Sequence, residues 1–388
     1  MRTGDQTLVK EWNQAIALDL LRSRGPVSRA ELAQLSGINK ATVSNIVEEW
    51  LALGLAEEIG PGPSSVGRPP MLIRFNPRAG FAVGIEIEVD GLRGVLTDLD
   101  GQPVYREQVA AADLADVARA VARLHDLIAA LLRAAPQAPL GVLGIGIGVP
   151  GLVNFDAGVV QNAPNLHWRD VPLRDIVTGA WPYAVYVDNE ANAGALGEKW
   201  LGAGMDADSL VYISASTGIG AGIVLGRDLV RGAGGLAGEF GHMVIDVNGE
   251  ACSCGGRGCL EVYASLTSCL RRYQARRGER VDADTYFARL AAGDADAVAA
   301  MRETGEYLGI GITNIVHGLN PERVILGNRL ADGGDVLLAA VERVLMTRSF
   351  AQPYFRTTVS LGRLGRDACA IGAASLALQA YFALPRTE

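Results

Sequence analysis

Long hydrophobic runs are absent from this chain of 388 residues. The longest apolar stretch, LGVLGIGIGVPGLV at 140–153, is short and broken by glycine. That suits a buried strand and its turn, not a bilayer span. The opening MRTGDQTLVKEW lacks the apolar centre of a secretory signal, so a cytoplasmic protein without a membrane partner is expected. Cysteine is scarce too. Five residues leave little for a disulfide framework, and in a reducing compartment a cluster of them more often binds metal. Nor is there an excess of positive charge. Lys and Arg number 35 against 43 Asp and Glu, and the net −8 argues against a surface coated in nucleic acid.

The charge is unevenly placed. Residues 1–77 hold eight bases and eight acids, so the −8 belongs to the remainder. Apolar residues at 49% and charged residues at 20% describe a folded globular chain. Its length suggests two or three domains of about 100–200 residues each.

The segment GPVSRAELAQLSGINKATVSNIVEEWLALGLAEE, from residue 25, reads as two short helices joined by a tight turn. Ser28 and Glu31 form an S-x-x-E capping box, Gly37 supplies the turn, and Asn39 can cap the second helix. The second helix has an inward stripe of Val43, Ile46, Val47, Trp50 and Leu51. Its leading turns present Lys40, Thr42, Ser44 and Asn45, short or polar enough to reach bases and phosphates. A plain helical hairpin explains the stripe but not that polar leading end. With Ser28, Arg29 and Asn39 these residues make up the expected double-stranded DNA contact of a helix-turn-helix. Strand-like pieces near 55–59 and 71–75 flank a Gly/Pro/Ser tip, as in a winged helix, and Arg68 at that tip can enter a minor groove. A plain linker fits the tip equally well.

From Gly80 the pattern alternates strand, turn, strand and helix, twice over, which implies two α/β lobes with a cleft between them. His125 lies beside an apolar helical stripe and is expected at the surface. The densest chemistry is EFGHMVIDVNGEACSCGGRGCLE at 239–261. His242, Cys252, Cys254 and Cys259 fill a Cys₃His shell with no open position, which describes structural Zn²⁺ rather than a catalytic ion. Buried cysteines or a redox pair suit this spacing less well. Cys269 has no evident partner and is expected to be buried.

The opening GDQTLVKEWNQ together with SRAELAQLSGINKATVSNIVEE, SSVGRPP, VDNEANAGALGEK and GEFGHM…CSCGGRGCLE resembles the ROK family of repressors and sugar kinases, and within it the xylose-repressor branch. The resemblance spans nearly the whole chain. It implies a winged helix-turn-helix over 1–77 followed by an actin-like, ribonuclease-H-like two-lobed fold. The first lobe would cover 78–190, with a helix at about 370–388 returning to it. The second would cover 191–369. It also implies that Gly151, Asn165, Asn189, Glu190, Glu239, His242 and Glu261 contact a monosaccharide, His242 using one nitrogen for zinc and the other for sugar. A homodimer or tetramer on operator DNA is implied as well.

Family kinases carry Asp-x-Gly-x-Thr after their first strand, where this chain has Glu86-Ile87-Glu88-Val89-Asp90. Glu88 in place of the glycine and Asp90 in place of the hydroxyl residue would repel a triphosphate. The family's catalytic Asp is replaced by Glu190, whose extra methylene moves the carboxylate. The second phosphate turn, 216–220, is kept. A sugar-responsive repressor that is no enzyme is therefore expected. An active kinase fused to a DNA-binding domain, or a repressor controlled by a protein partner, are the alternatives.

Overall fold

The computed structural model describes residues 6–63, 69–226, 228–350 and 356–383; Arg68 of the wing tip lies outside them. The N-terminal part comprises α1 (Gln6–Arg24), β1 (Val27–Ser28), α2 (Arg29–Ser36), α3 (Lys40–Ala52), β2 (Ala56–Pro61) and β3 (Met71–Phe75). Its three strands pair antiparallel in the order β1-β3-β2. The helix starts follow from local chemistry. Ser28 Oγ accepts the Glu31 N–H at 3.2 Å, and Asn39 Oδ1 accepts that of Thr42 at 2.8 Å. Between them Gly37 sits at φ +71°, a conformation that side chains with a Cβ resist.

Two sheets of one topology follow. The first is formed by β4 (Phe81–Ile87), β5 (Gly91–Asp98), β6 (Pro103–Ala110), β7 (Val142–Val149) and β11 (Ala184–Asn189). It has the order β11-β7-β4-β5-β6, with β7 and β11 parallel to β4. Inserted in it are α4 (Val117–Ala134), a small sheet of β8 (Leu152–Asn154), β9 (Val159–Ala163) and β10 (Trp168–Val171), and α5 (Leu173–Ala180). After α6 (Glu190–Leu201), the second sheet takes the order β14-β13-β12-β15-β16. Its strands are β12 (Ser209–Ala215), β13 (Ile219–Leu225), β14 (Asp228–Leu229), β15 (Arg323–Gly327) and β16 (Thr358–Leu361). Helices α7 (Glu261–Ala264), α8 (Leu266–Arg277), α9 (Ala283–Ala291), α10 (Ala295–Leu319) and α11 (Gly334–Arg348) cover it. The closing helix α12 (Ala368–Phe382) lies against β4 and β7 of the first sheet and against α6.

Each sheet packs its own core, one built around Phe81, Ile85, Ile147 and Trp168, the other around Val211, Ile213, Tyr273 and Ile312. The third large core crosses a boundary. Ala17, Leu21, Val47, Trp50 and Ile73 of the N-terminal part pack with Ala82, Leu99, Ala374 and Leu378. His125 departs from the surface position expected of it: it is half-buried and accepts the Trp181 indole N–H at 2.9 Å, an energetically sound use for a ring nitrogen beside a core. Cys269 is buried, its thiol donating to the Tyr286 hydroxyl at 3.0 Å. Among the described residues no helix is long and apolar enough to cross a membrane.

Candidate functional site

A cleft of ≈ 1380 Å³ opens between the two sheets. The C-terminal end of β11 enters it first. Asn189 caps α6, its Oδ1 accepting the N–H groups of Ala191 (2.8 Å) and Asn192 (3.2 Å). That bond leaves Nδ2 to hold the Gly151 carbonyl and a Glu190 carboxylate oxygen, both at 2.9 Å. Gly151 sits at φ +104°, and a Cβ there would run into the Asn162 carbonyl, so the loop admits only glycine. Burial, with Glu239 nearby, pushes the Glu190 carboxyl up to about 8.

From the other side come the residues after β14. His242 turns Nε2 toward Glu239 Oε2 at 4.0 Å and Nδ1 toward Cys252 Sγ at 3.7 Å. One nitrogen therefore faces the cleft while the other faces the cysteines. Glu239 is raised above the ordinary carboxylate range by burial, an effect that His242 opposes. Glu261, at the start of α7, accepts the Ile219 N–H at 3.2 Å with Oε2 and places Oε1 3.6 Å from Cys252 Sγ. Asn165 completes the rim from the β9–β10 connection. All seven residues expected at the ligand line this one cleft.

The four donor atoms of His242, Cys252, Cys254 and Cys259 lie within 4.8 Å of one another. A tetrahedral ion with metal–sulfur bonds of about 2.3 Å separates its donors by about 3.8 Å. The Cys254–Cys259 sulfurs stand 3.8 Å apart and Cys252–His242 Nδ1 3.7 Å, so the donor set fits one metal ion. Gly256 N–H donates to Cys254 Sγ at 3.4 Å and lowers that thiol, whereas burial raises those of Cys252 and Cys259, which a metal would have to draw into the thiolate form.

The turn after β4 also reaches the cleft. Glu88 meets Arg93 at 3.4 Å, and Glu86 beneath it is buried, its carboxyl held well above the usual range by desolvation and then by Glu88 and Glu190. Across the cleft, Asp284 pairs with Arg329 at 2.6 Å and Arg366 at 3.6 Å.

Sequence reading missed one ion pair altogether. Asp188, only 1% exposed, takes both Nε (2.9 Å) and a terminal nitrogen (2.7 Å) of Arg231, while Arg231 stacks on Phe155 at 3.8 Å. It ties the second sheet's glycine-rich loop to the first sheet, over 43 positions of sequence. Asn192, also buried on the cleft floor, keeps an Oδ1 with no protein partner.

In the N-terminal part Lys40 and Asn45 of α3 are exposed and Thr42 and Ser44 half-buried, while Val43, Ile46 and Val47 are buried. Ser28 and Asn39 are occupied as helix caps, and Arg29 pairs with Glu58 of the wing at 2.8 Å.

The sequence profile of the ROK family matches residues 82–380. Over 385 residues the chain is 38% identical to the xylose repressor of Bacillus subtilis (strain 168), covering 98% of each. Its fold is similar to the crystal structure of a ROK family transcriptional regulator, a homologue of the E. coli MLC protein, with a TM-score of 0.82, 27% identity and coverage of 96% and 97%. A ROK family glucokinase from Streptomyces griseus, solved with glucose and AMPPNP, matches with a TM-score of 0.71 and 28% identity, covering 77% of this chain and 100% of its own.

Proposed function

The chain belongs to the ROK family, and we propose that it is a sugar-responsive transcriptional repressor, released from operator DNA by a monosaccharide such as xylose. The observation that carries this is the convergence of Asn189 and Glu190 from one side of the cleft and Glu239, His242 and Glu261 from the other. A ligand with hydroxyls on several faces meets acceptors from both lobes and binds the closed cleft better than the open one. Population then shifts toward closure. Full-length likeness to a xylose repressor supports the same reading.

In this reading residues 1–77 bind DNA, with Ser28, Arg29, Asn39, Lys40, Thr42, Ser44, Asn45 and Arg68 at or near the grooves. Residues 78–190, with the closing helix, form the first lobe and 191–369 the second. A cytoplasmic homodimer or tetramer presents two recognition helices to half-sites about 34 Å apart, a spacing that tolerates little displacement. Zn²⁺ held by His242, Cys252, Cys254 and Cys259 supplies rigidity: it fixes the loop whose ends are Glu239 and Glu261 and sets the tautomer of His242. Gly151 and Asn165 shape the rim.

The retained turn at 216–220 and the likeness to a glucokinase favour a second reading, a kinase fused to a DNA-binding domain. Glu88 and Asp90 in the first turn weigh against it. A coupled assay with ATP and xylose, glucose or other aldoses separates the two. No phosphorylation is expected, and turnover of about 1–1000 per second would overturn the regulator reading. A thermal-shift screen of pentoses and hexoses tests the sugar directly. Xylose is expected to raise the melting temperature and to weaken DNA binding about 5–150-fold. If no monosaccharide does either, the reading fails.

A further inference from the structure

Two helices run from the cleft floor to the N-terminal part and end on the same side chain. α6 begins at Glu190, and its 12 residues span about 18 Å. α12 begins beside Cys369, whose sulfur closes over Gly148 of β7, close to the start of α6 at Glu190. The two helices touch so tightly that neither Gly197 nor Gly372 has room for a Cβ against the other's backbone. At their far ends, Trp200 of α6 lies 5.6 Å and Phe382 of α12 lies 4.4 Å from the guanidinium carbon of Arg22. Phe75 of β3 makes a third ring at 5.4 Å. Arg22 also donates to the Leu99 carbonyl at 3.2 Å and faces Asp100 at 3.7 Å.

The last turn of α6 is held to the second lobe as well. Glu198, with no exposed surface, accepts the N–H groups of Ala203 (2.7 Å), Arg363 (3.1 Å) and Leu364 (2.9 Å). Arg363 and Leu364 follow β16, so movement of the second sheet reaches the end of α6 through two of these hydrogen bonds, the third coming from the turn that follows α6 itself. Packed helices shift as rods, because close-packed interiors leave no slack to absorb the displacement.

We propose that Arg22 is a coupling residue, the joint at which cleft closure is converted into movement of the DNA-binding part. This rests on the regulatory reading above. A planar cation among three rings has a directional optimum, so displacing Trp200 and Phe382 together relative to α1 re-aims the guanidinium. Arg22 sits on α1, whose Ala17 and Leu21 share a core with Leu32, Val43 and Val47 of α2 and α3. Re-aiming it moves α3, the helix that carries Lys40 and Asn45. Lysine at this place keeps the charge but not the plane.

The test uses the full-length chain, D-xylose and a DNA duplex selected by the wild type from a random-sequence pool. Xylose affinity, duplex affinity and their mutual effect are measured for wild type, Arg22→Lys and Arg22→Ala. Wild-type duplex affinity is expected to fall about 5–150-fold with xylose. Both variants are expected to bind xylose, and to bind duplex without xylose, within about threefold of wild type, while the effect of xylose on duplex binding shrinks to about twofold or less. A merely structural role would move the separate affinities and spare their ratio. If Arg22→Ala melts early, Arg22→Lys decides. An Arg22→Lys ratio equal to that of wild type overturns the proposal alone, whereas a wild type whose DNA binding ignores xylose removes the regulatory reading and this proposal together.

Discussion

The turn between β4 and β5 and the turn between β12 and β13 occupy equivalent places in two sheets of one topology. In the first, Glu86, Glu88 and Asp90 fill the place with carboxylates, and Glu88 is matched by Arg93. In the second, residues 216–220 remain small, hydroxylic and glycine-rich, and the Ile219 N–H is given to Glu261. A shared place in the topology thus carries different electrostatics. One turn disfavours an anion; the other positions an acceptor. What a fold position does is set by the side chains and free N–H groups it exposes, not by its topology.

The largest expected effect falls on the second turn's side. Cys254→Ser, or strong chelation of the wild type, should release about one zinc per chain and with it a stabilisation on the order of 10 kcal/mol. The loop carrying Glu239 and Glu261 then loses its form, so elemental analysis and xylose calorimetry should fall together. A folded, metal-free wild type that still binds xylose would break the link between metal and acceptor.

Asp188→Ala leaves Arg231 without its buried partner and should cost about 3 kcal/mol of stability, read from denaturant unfolding. A loss near zero would mean that the two lobes are held together elsewhere.

Next comes a direct contrast between the turns. A Cβ on Gly218 would sit 2.5 Å from Glu261 Oε2. Gly218→Ala should therefore displace that carboxylate and weaken xylose binding about tenfold, near 1.4 kcal/mol. Glu88→Ala, at the equivalent turn, should change it by about twofold or less. Equal losses would abolish the asymmetry between the two turns.

A pH dependence is expected as well, spread over several pH units. Glu190 is raised to about 8 from 4.5 by burial, so the native protein keeps a proton that the unfolded chain has released. Stability from this group is complete below about pH 4.5 and is lost as pH climbs through about 8. Glu190→Gln should flatten that decline in a series of melting curves between those values. An unchanged slope would show that the carboxyl is better solvated than its surroundings imply.

Local signals made part of this molecule legible. Ser28, Gly37 and Asn39 mark helix ends because caps and turns are satisfied within four residues. The metal group was readable for a similar reason: three cysteines within eight positions need little chain to converge. The seven cleft residues had no such pattern. Their roles were expected from resemblance, since Gly151, Asn189 and Glu261 lie far apart in the chain and follow no helical or strand period.

By itself, then, the sequence determined the helix starts of the N-terminal part, the alternation that builds two α/β sheets, and the donor set for a metal. Only the tertiary structure decided that Arg231 would find Asp188, that His125 would take the Trp181 indole, and that Arg22 would meet rings from positions 75, 200 and 382. These contacts join residues whose own segments are already satisfied. Their partners are chosen by which surfaces the two sheets and the crossing helices α6 and α12 bring together, and chain-distant pairing of that kind leaves no trace in local spacing.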